Sequence, residues 1–246
     1  MTATDSITKI NNVLHGESSE KFRNELKFEV TESELQIIES RIKNICIKDP
    51  HVYDNSIYEI RSIYFDDIDN TYFYENESGT DPREKFRIRI YNGSDERISL
   101  ELKKKEHLMT NKKSVTISKE ECLLFMQDDA DVDHLFGKSE LLNKFLRLYK
   151  GDKLRGKVIV AYERTPYIYY PGNVRITFDR NISSTSDIGS FFNERLIKRP
   201  VMEKGRHILE VKYDEFLPNV LYSALSIRTL RQTAFSKYYN CRKFTM

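Results

Sequence analysis

From residue 83 to residue 89 every second position is cationic, with Arg83, Lys85, Arg87 and Arg89 on one parity and Phe86, Ile88 and Ile90 on the other. A period of two belongs to an extended chain, whose successive side chains point to opposite faces. Asn92-Gly93 follows, a pair that tolerates positive φ at both positions and so favours a two-residue hairpin turn. The alternation then resumes, Ile98, Leu100 and Leu102 against Ser99, Glu101, Lys103 and Lys105. The pattern predicts a hairpin over 83–105 with one apolar and one charged face. Such a sheet most simply turns its charged face to water.

The same two-faced alternation recurs. Phe22, Leu26, Phe28 and Val30 interleave with Arg23, Glu25, Lys27 and Glu29; Val174, Ile176 and Phe178 interleave with Arg175, Thr177 and Asp179; residues 206–213 place Arg206, Ile208, Glu210 and Lys212 on one side. Aromatic and β-branched content predicts further strands at 58–67, 113–118 and 157–170, the last carrying Pro166, which belongs at a bend or an unpaired edge. Pro171-Gly172-Asn173 reads as a turn and the Ser-rich stretch 181–187 as a loop, while 191–204 carries no clear pattern beyond an optional small hairpin. Thr31 with Glu34, and Ser118 with Glu121, have capping-box spacing and predict helices to about Cys46 and Met126. Other helices are expected directly after residue 67, with Asp69 as the cap, over 139–149, and over 217–227 with Pro218 in the first turn. Residues 1–20 read as a flexible leader and 21–246 as one domain. The fold class is α+β: an eight-stranded, mostly antiparallel sheet interrupted by covering helices.

Composition narrows the function without naming it. With 39% hydrophobic and 32% charged residues in 246, the chain is an ordinary globular one, and a net charge of +2 gives no case for nucleic acid. Cys46, Cys122 and Cys241 lack the spacing of a disulfide framework or zinc site, and the five histidines lack metal-ligand spacing. No apolar run approaches the roughly 18–20 residues that span a bilayer. A cytoplasmic protein is expected, and a membrane partner is compatible with it.

If helices cover the apolar faces, the charged faces either meet solvent across an open sheet or face one another inside a closed barrel, and eight strands suffice to close one. A cation-rich lumen is costly when empty but focuses strongly on a phosphate chain. Arginine forks match phosphate oxygens, and interspersed carboxylates can pair with neighbouring cations or hold a divalent metal among phosphates.

The segments RNELKFEV, IRSIYFDD, KFRIRIY, SLELKKK, KSV, AYERTPY, VRITFD, ILEVKY with Leu217-Pro218, and FSKYY occur in that order between about residues 21 and 240. Together they resemble the polyphosphate polymerase domain of the vacuolar transporter chaperone (VTC) family, a branch of the triphosphate tunnel metalloenzymes. The resemblance implies a β-barrel tunnel in which Lys27, Arg87, Arg89, Lys103, Arg164 and Arg175 bind the triphosphate or polymer. Tyr162 and Ser236 would contact phosphate, and Lys237 would serve transfer near the terminal phosphate. Glu210 would hold a divalent cation, Mn²⁺ or Mg²⁺. Lys113 matches a family lysine, although the lysine expected three residues later is Thr116. Glu25 and Glu101 would either pair with the cations of the lumen or position substrate and metal. Lys212 and Arg206 could point outward if their strand bulges, and Arg83 and Lys85 are expected at the tunnel mouth or outside it.

Hydrolytic members of the superfamily carry an ExExK signature on the first strand, where this chain has Arg23, Glu25 and Lys27. The missing carboxylate disfavours a two-metal triphosphatase. The implied reaction is metal-assisted transfer of the γ-phosphoryl group of ATP to a growing inorganic polyphosphate, in a tunnel open at both ends. Two alternatives stay open: an inorganic or nucleoside triphosphatase of the same fold, and a non-catalytic polyphosphate-binding module. A basic RNA-binding sheet is disfavoured, since no ribonucleoprotein aromatic motif stands on the central strands.

Overall fold

The computed structural model describes residues 18–19, 22–49, 57–107, 109–226, 228 and 230–246. Eight long strands follow one another along the chain: β1 (Asn24–Thr31), β2 (Tyr58–Asp66), β3 (Arg83–Tyr91), β4 (Ser94–Glu106), β5 (Met109–Ile117), β6 (Arg155–Tyr169), β7 (Val174–Thr185) and β8 (Arg206–Tyr213). They hydrogen-bond in the order β5-β4-β3-β2-β6-β7-β8-β1, every neighbouring pair antiparallel. The sheet curls until its ends meet. Ser18 and Ser19 pair with Ser114 and Lys113 of β5, and Arg23 exchanges two backbone hydrogen bonds with Thr110, at 2.9 and 3.0 Å. Pairing thus begins at Ser18, inside the stretch read as leader; residues 1–17 lie outside the described ones.

The sequence patterns locate most elements, and each has a local cause. Asn92 (φ 51°) and Gly93 (φ 69°) make the expected hairpin turn between β3 and β4. Both capping boxes form: Thr31 opens helix α1 (Glu32–Ile42) and Ser118 opens α3 (Lys119–Phe125). Helix α1 therefore stops four residues short of Cys46. Helix α4 (Glu140–Gly151) is capped by the Ser139 hydroxyl. Pro166 lies within β6, past the last residue that pairs with β2; its carbonyl accepts from the Asp49 N–H at 3.4 Å, so its missing donor faces the same outer side.

Three expectations need correction, and the tail holds an element that no sequence pattern marked. Helix α2 (Thr71–Ser78) is not capped by Asp69. The Asp67 carboxylate accepts from the Thr71 N–H, and Asp66, a residue of β2 itself, accepts from Tyr72 and Phe73. The Ser-rich stretch is not a loop: β7 runs to Thr185, with Ser183 and Ser184 buried between β6 and the two-residue strand Arg199–Pro200, and Asn181 at positive φ absorbs the irregularity. Helix α5 covers only Asn219–Ala224, with Pro218 preceding it. Ile227 lies outside the described residues. Finally, the tail carries a helix, α6 (Lys237–Lys243), capped by the Ser236 hydroxyl.

Three apolar clusters hold these parts. The outer faces of β2 to β5 pack against α3 and α4 around Phe65, Phe86, Phe125 and Phe145; the outer faces of β1, β7 and β8 pack against α1 and α5. The third cluster lies on the inner face. Ile60 and Tyr64 of β2, Val158, Val160 and Tyr162 of β6, and Ile208 of β8 enclose Tyr238 and Cys241 of α6, with Phe73 of α2 beside them. Helix α6 is therefore seated against the inside of the barrel wall. The Tyr238 hydroxyl hydrogen-bonds the buried Asp66 carboxylate, so one carboxylate joins β2, the start of α2 and α6. Cys46, Cys122 and Cys241 are buried free thiols.

Candidate functional site

Because side chains alternate, the parity that leaves the apolar face outside sends Arg83, Lys85, Arg87 and Arg89 into the lumen. They line a cavity of about 590 Å³ whose walls also carry Lys27, Lys103, Arg164, Arg175 and Lys237, so cations far outnumber carboxylates. The lining runs from Tyr58, Tyr91 and Arg175 at one end to Arg83, Lys105 and Asn76 at the other.

Four carboxylates hold these cations in place. Glu101, on β4 opposite Arg87, accepts from Arg87 at 2.6 Å and lies 3.8 Å from Arg89 and 3.7 Å from Lys112. Burial alone would push its acid up, but the Arg87 and Arg89 charges outweigh burial and hold it well below the usual carboxylate range. Asp179 takes the Arg164 guanidinium in a fork at 2.6 and 2.7 Å and the Lys237 ammonium at 2.5 Å. Glu210 lies 2.9 Å from Lys212 and 3.7 Å from Lys237; Glu25 lies 2.8 Å from Lys103 and 3.7 Å from Lys27. Tyr162 lends its ring to Arg164 and Lys237, with centroid distances of 5.3 and 4.8 Å, and its hydroxyl accepts from Arg89 at 3.3 Å. The Tyr64 hydroxyl accepts from Arg87 at 2.9 Å.

The residues singled out in the sequence sit as follows. Lys27, Arg87, Arg89, Lys103, Tyr162, Arg164, Glu210, Ser236 and Lys237 converge on the lumen, and Arg175 stands at one end, 40% exposed and 2.6 Å from Asp49. Glu25 and Glu101 are ion-pair partners of lumen cations. Lys113 is on the other face. It shares the parity of the buried outer residues Val115 and Ile117 and is exposed, while Lys112 lines the cavity. Lys212 points inward to Glu210, and Lys85 lies within the lumen with its ammonium 3.2 Å from the Ser236 hydroxyl. Asp179, Tyr64 and Lys112 were not singled out, although the parity of their strands places each of them inside.

The lysines report how strained the lumen is. Lys85 is held well below the ordinary lysine value, first by burial and then by Lys103 and Lys27. Burial also brings Lys103 down to about 7, with Glu25 opposing and Lys27 and Lys212 adding to the fall. Lys237 is shifted the other way, because Asp179, Tyr162 and Glu210 outweigh its burial. A bound polyanion favours the charged lysine, so binding draws in a proton wherever Lys103 is neutral beforehand. Affinity for tripolyphosphate should therefore be nearly flat below pH 6 and fall above pH 7, by up to about tenfold per pH unit from this one group. Calorimetric titration in buffers of different ionisation enthalpy checks it; no proton uptake at pH 8 would contradict the shift.

Among the described residues no three His, Cys, Asp or Glu side chains form a ready-made metal cage. Yet Glu210 and Glu25 stand near one another, each, although buried, held as a carboxylate by the lysines around it, Lys212 and Lys237 for Glu210 and Lys103 and Lys27 for Glu25. Mg²⁺-like ions are held by one or two carboxylates plus substrate phosphates, and this pair fits that requirement.

The antiparallel eight-stranded barrel with charged side chains within is a fold shared with solved structures. A candidate adenylate cyclase of Bacillus halodurans shares it at a TM-score of 0.56 and 14% identity, covering 89% of this chain and 95% of that one. A candidate adenylyl cyclase of Hippeastrum, described as having a dominant triphosphatase activity, shares it at 0.54 and 12%, covering 92% and 97%. Residues 22–246 match the VTC domain, and the chain belongs to the VTC domain family. No curated protein matches it in sequence. No helix among the described residues is long and apolar enough to cross a membrane.

Proposed function

We propose that this protein is a polyphosphate polymerase that transfers the γ-phosphoryl group of ATP to a growing inorganic polyphosphate inside the lumen. The observation that carries the reading is Lys85: a lysine turned into the cavity, with no carboxylate partner among the described residues and with cations around it that disfavour its own charge. An anion in the lumen is what would complete its coordination. Phosphoryl transfer asks a protein chiefly to align donor and acceptor and to stabilise charge on the transferred oxygens. Arg87, Arg89 and Lys103 would hold the phosphate chain from the β3–β4 wall and Arg164 from the opposite one. Lys237, presented by the first turn of α6 and kept charged, would meet the transferred group. Glu210, with Glu25 beside it, would hold a Mn²⁺ or Mg²⁺ ion, which supplies Lewis-acid stabilisation of phosphate oxygens when bound. A cytoplasmic location suits an ATP donor.

Incubation with ATP and Mn²⁺, followed by chain-length analysis on a gel, should yield long polyphosphate. Free phosphate alone would make the protein a triphosphatase of the same fold, and tight binding without turnover would make it a polyphosphate-binding module.

A further inference from the structure

One part of the cavity wall is chemically unlike the rest. At the Arg175 end, beyond Arg89 on β3 and Ile60 on β2, the lining is aromatic: Tyr91 and Tyr58 lie with ring centroids 5.9 Å apart and planes tilted by 53°. Both are half-buried. Both rings pack against the edge of the inner cluster and lie outside its fully buried part. Their backbone is nonetheless fixed. Tyr91 pairs with Ile60, the Asn92 N–H donates to the Glu59 carbonyl at 2.9 Å, and the Asn92 side chain accepts from the Glu59 N–H at 2.9 Å. The β3–β4 turn is thereby pinned to the start of β2, and the two rings form a preset surface.

Their spacing from the phosphate-binding wall is that of a nucleotide. Arg89 and Tyr91 are two residues apart on one strand, about 7 Å along it. A ribose separates an α-phosphate from its base by a comparable distance. On β6, the strand next to β2, Arg164 is paired with Tyr58. An α-phosphate between Arg89 and Arg164 would thus set its base against the tyrosines, while the β- and γ-phosphates continue inward toward Arg87 and Lys237. Inorganic phosphate has no π face to offer these rings.

We propose that Tyr58 and Tyr91 form a nucleobase-stacking subsite at this mouth, which selects a nucleoside triphosphate as the ligand entering there. The proposal rests on the phosphate-tunnel reading and adds the recognition of a base to it. Stacking on an aromatic side chain tolerates any base, so discrimination between nucleotides should be weak while discrimination between nucleotide and inorganic triphosphate is strong.

The test compares binding of ATP and tripolyphosphate by calorimetry in the wild-type chain, Tyr58→Ala, Tyr91→Ala and Tyr91→Phe. The alanine variants should bind ATP about tenfold more weakly. They should keep tripolyphosphate affinity within about twofold, which also certifies that they are folded. Tyr91→Phe should keep both affinities, because the ring carries the contact. Unchanged ATP affinity in both alanine variants, or an equal loss for the two ligands at an unchanged melting temperature, would overturn the subsite. If an alanine variant melts early, Tyr91→Leu and Tyr58→Leu keep the bulk without the π face and take over the same comparison. Wild-type protein that binds neither ligand would overturn the tunnel reading itself, and the subsite with it.

Discussion

Replacing Asp179 by Ala should destabilise the ligand-free protein by about 3–5 kcal/mol, the cost typical of breaking a buried pair from one side. Asp179 is fully buried, and it alone takes both the Arg164 fork and the closest contact of Lys237. Burial would raise its acid, but Arg164 and Lys237 outweigh burial and hold it low, so its charge is secured by two cations at once. Without it those cations face each other with only Glu210 nearby, at 3.9 Å from Arg164 and 3.7 Å from Lys237. The same loss makes the lumen hungrier for anions. Tripolyphosphate should therefore restore more stability to Asp179→Ala than it adds to the wild type. Urea denaturation with and without the anion measures both effects; a variant as stable as wild type without ligand would show that the pairings are not what holds this wall.

Lys237→Ala should behave in the opposite way. Asp179 keeps its bidentate arginine and α6 keeps Tyr238 and Cys241 in the inner cluster, so the fold should persist with a small change in melting temperature. Phosphoryl transfer should fall by on the order of 100- to 1,000-fold, the range for removing one pre-positioned group from a developing charge. ATP affinity should drop much less, because Arg87, Arg89 and Lys103 stay. A loss of affinity that accounts for the whole loss of rate would place Lys237 in ground-state binding. Single-turnover measurements at saturating ATP separate these outcomes.

Much of this architecture is legible in the chain because both of its periods are simple. Strand parity alone assigns the inside of β3: once Phe86, Ile88 and Ile90 are outside, Arg87 and Arg89 have nowhere else to go. The same rule would have corrected two assignments. Lys113 alternates with Val115 and Ile117, which marks it as outward and Lys112 as inward, and Lys212 shares its face with Glu210. Other features leave weaker traces. The stretch Ser183-Ser184-Thr185 lacks strand-like apolar residues, and its extended form comes from pairing on both sides, which is a tertiary effect. The helix at 237–243 is short and polar, and its place depends on Tyr238 and Cys241 finding the inner face of strands that are distant in sequence. Asp66 reads as the end of a strand; only the turn of the chain into α2 reveals that its carboxylate serves three elements.

Closure of the barrel has a mechanical consequence. Seven ladders bind each long strand to its neighbour over much of its length, whereas the ring is completed by the few residues before β1, Ser18 and Ser19 against β5 and then Arg23 against Thr110. At Arg23 the chain leaves one partner and begins to follow another, β8. Across this join, Lys103 of β4 reaches Glu25 of β1, a bond that a phosphate chain would compete for. Parting the Arg23–Thr110 pair costs two backbone hydrogen bonds, about 1–3 kcal/mol net, comparable to what a single charge-assisted contact returns. Of the joins around the barrel among the described residues, this is the one closed by the fewest backbone pairings.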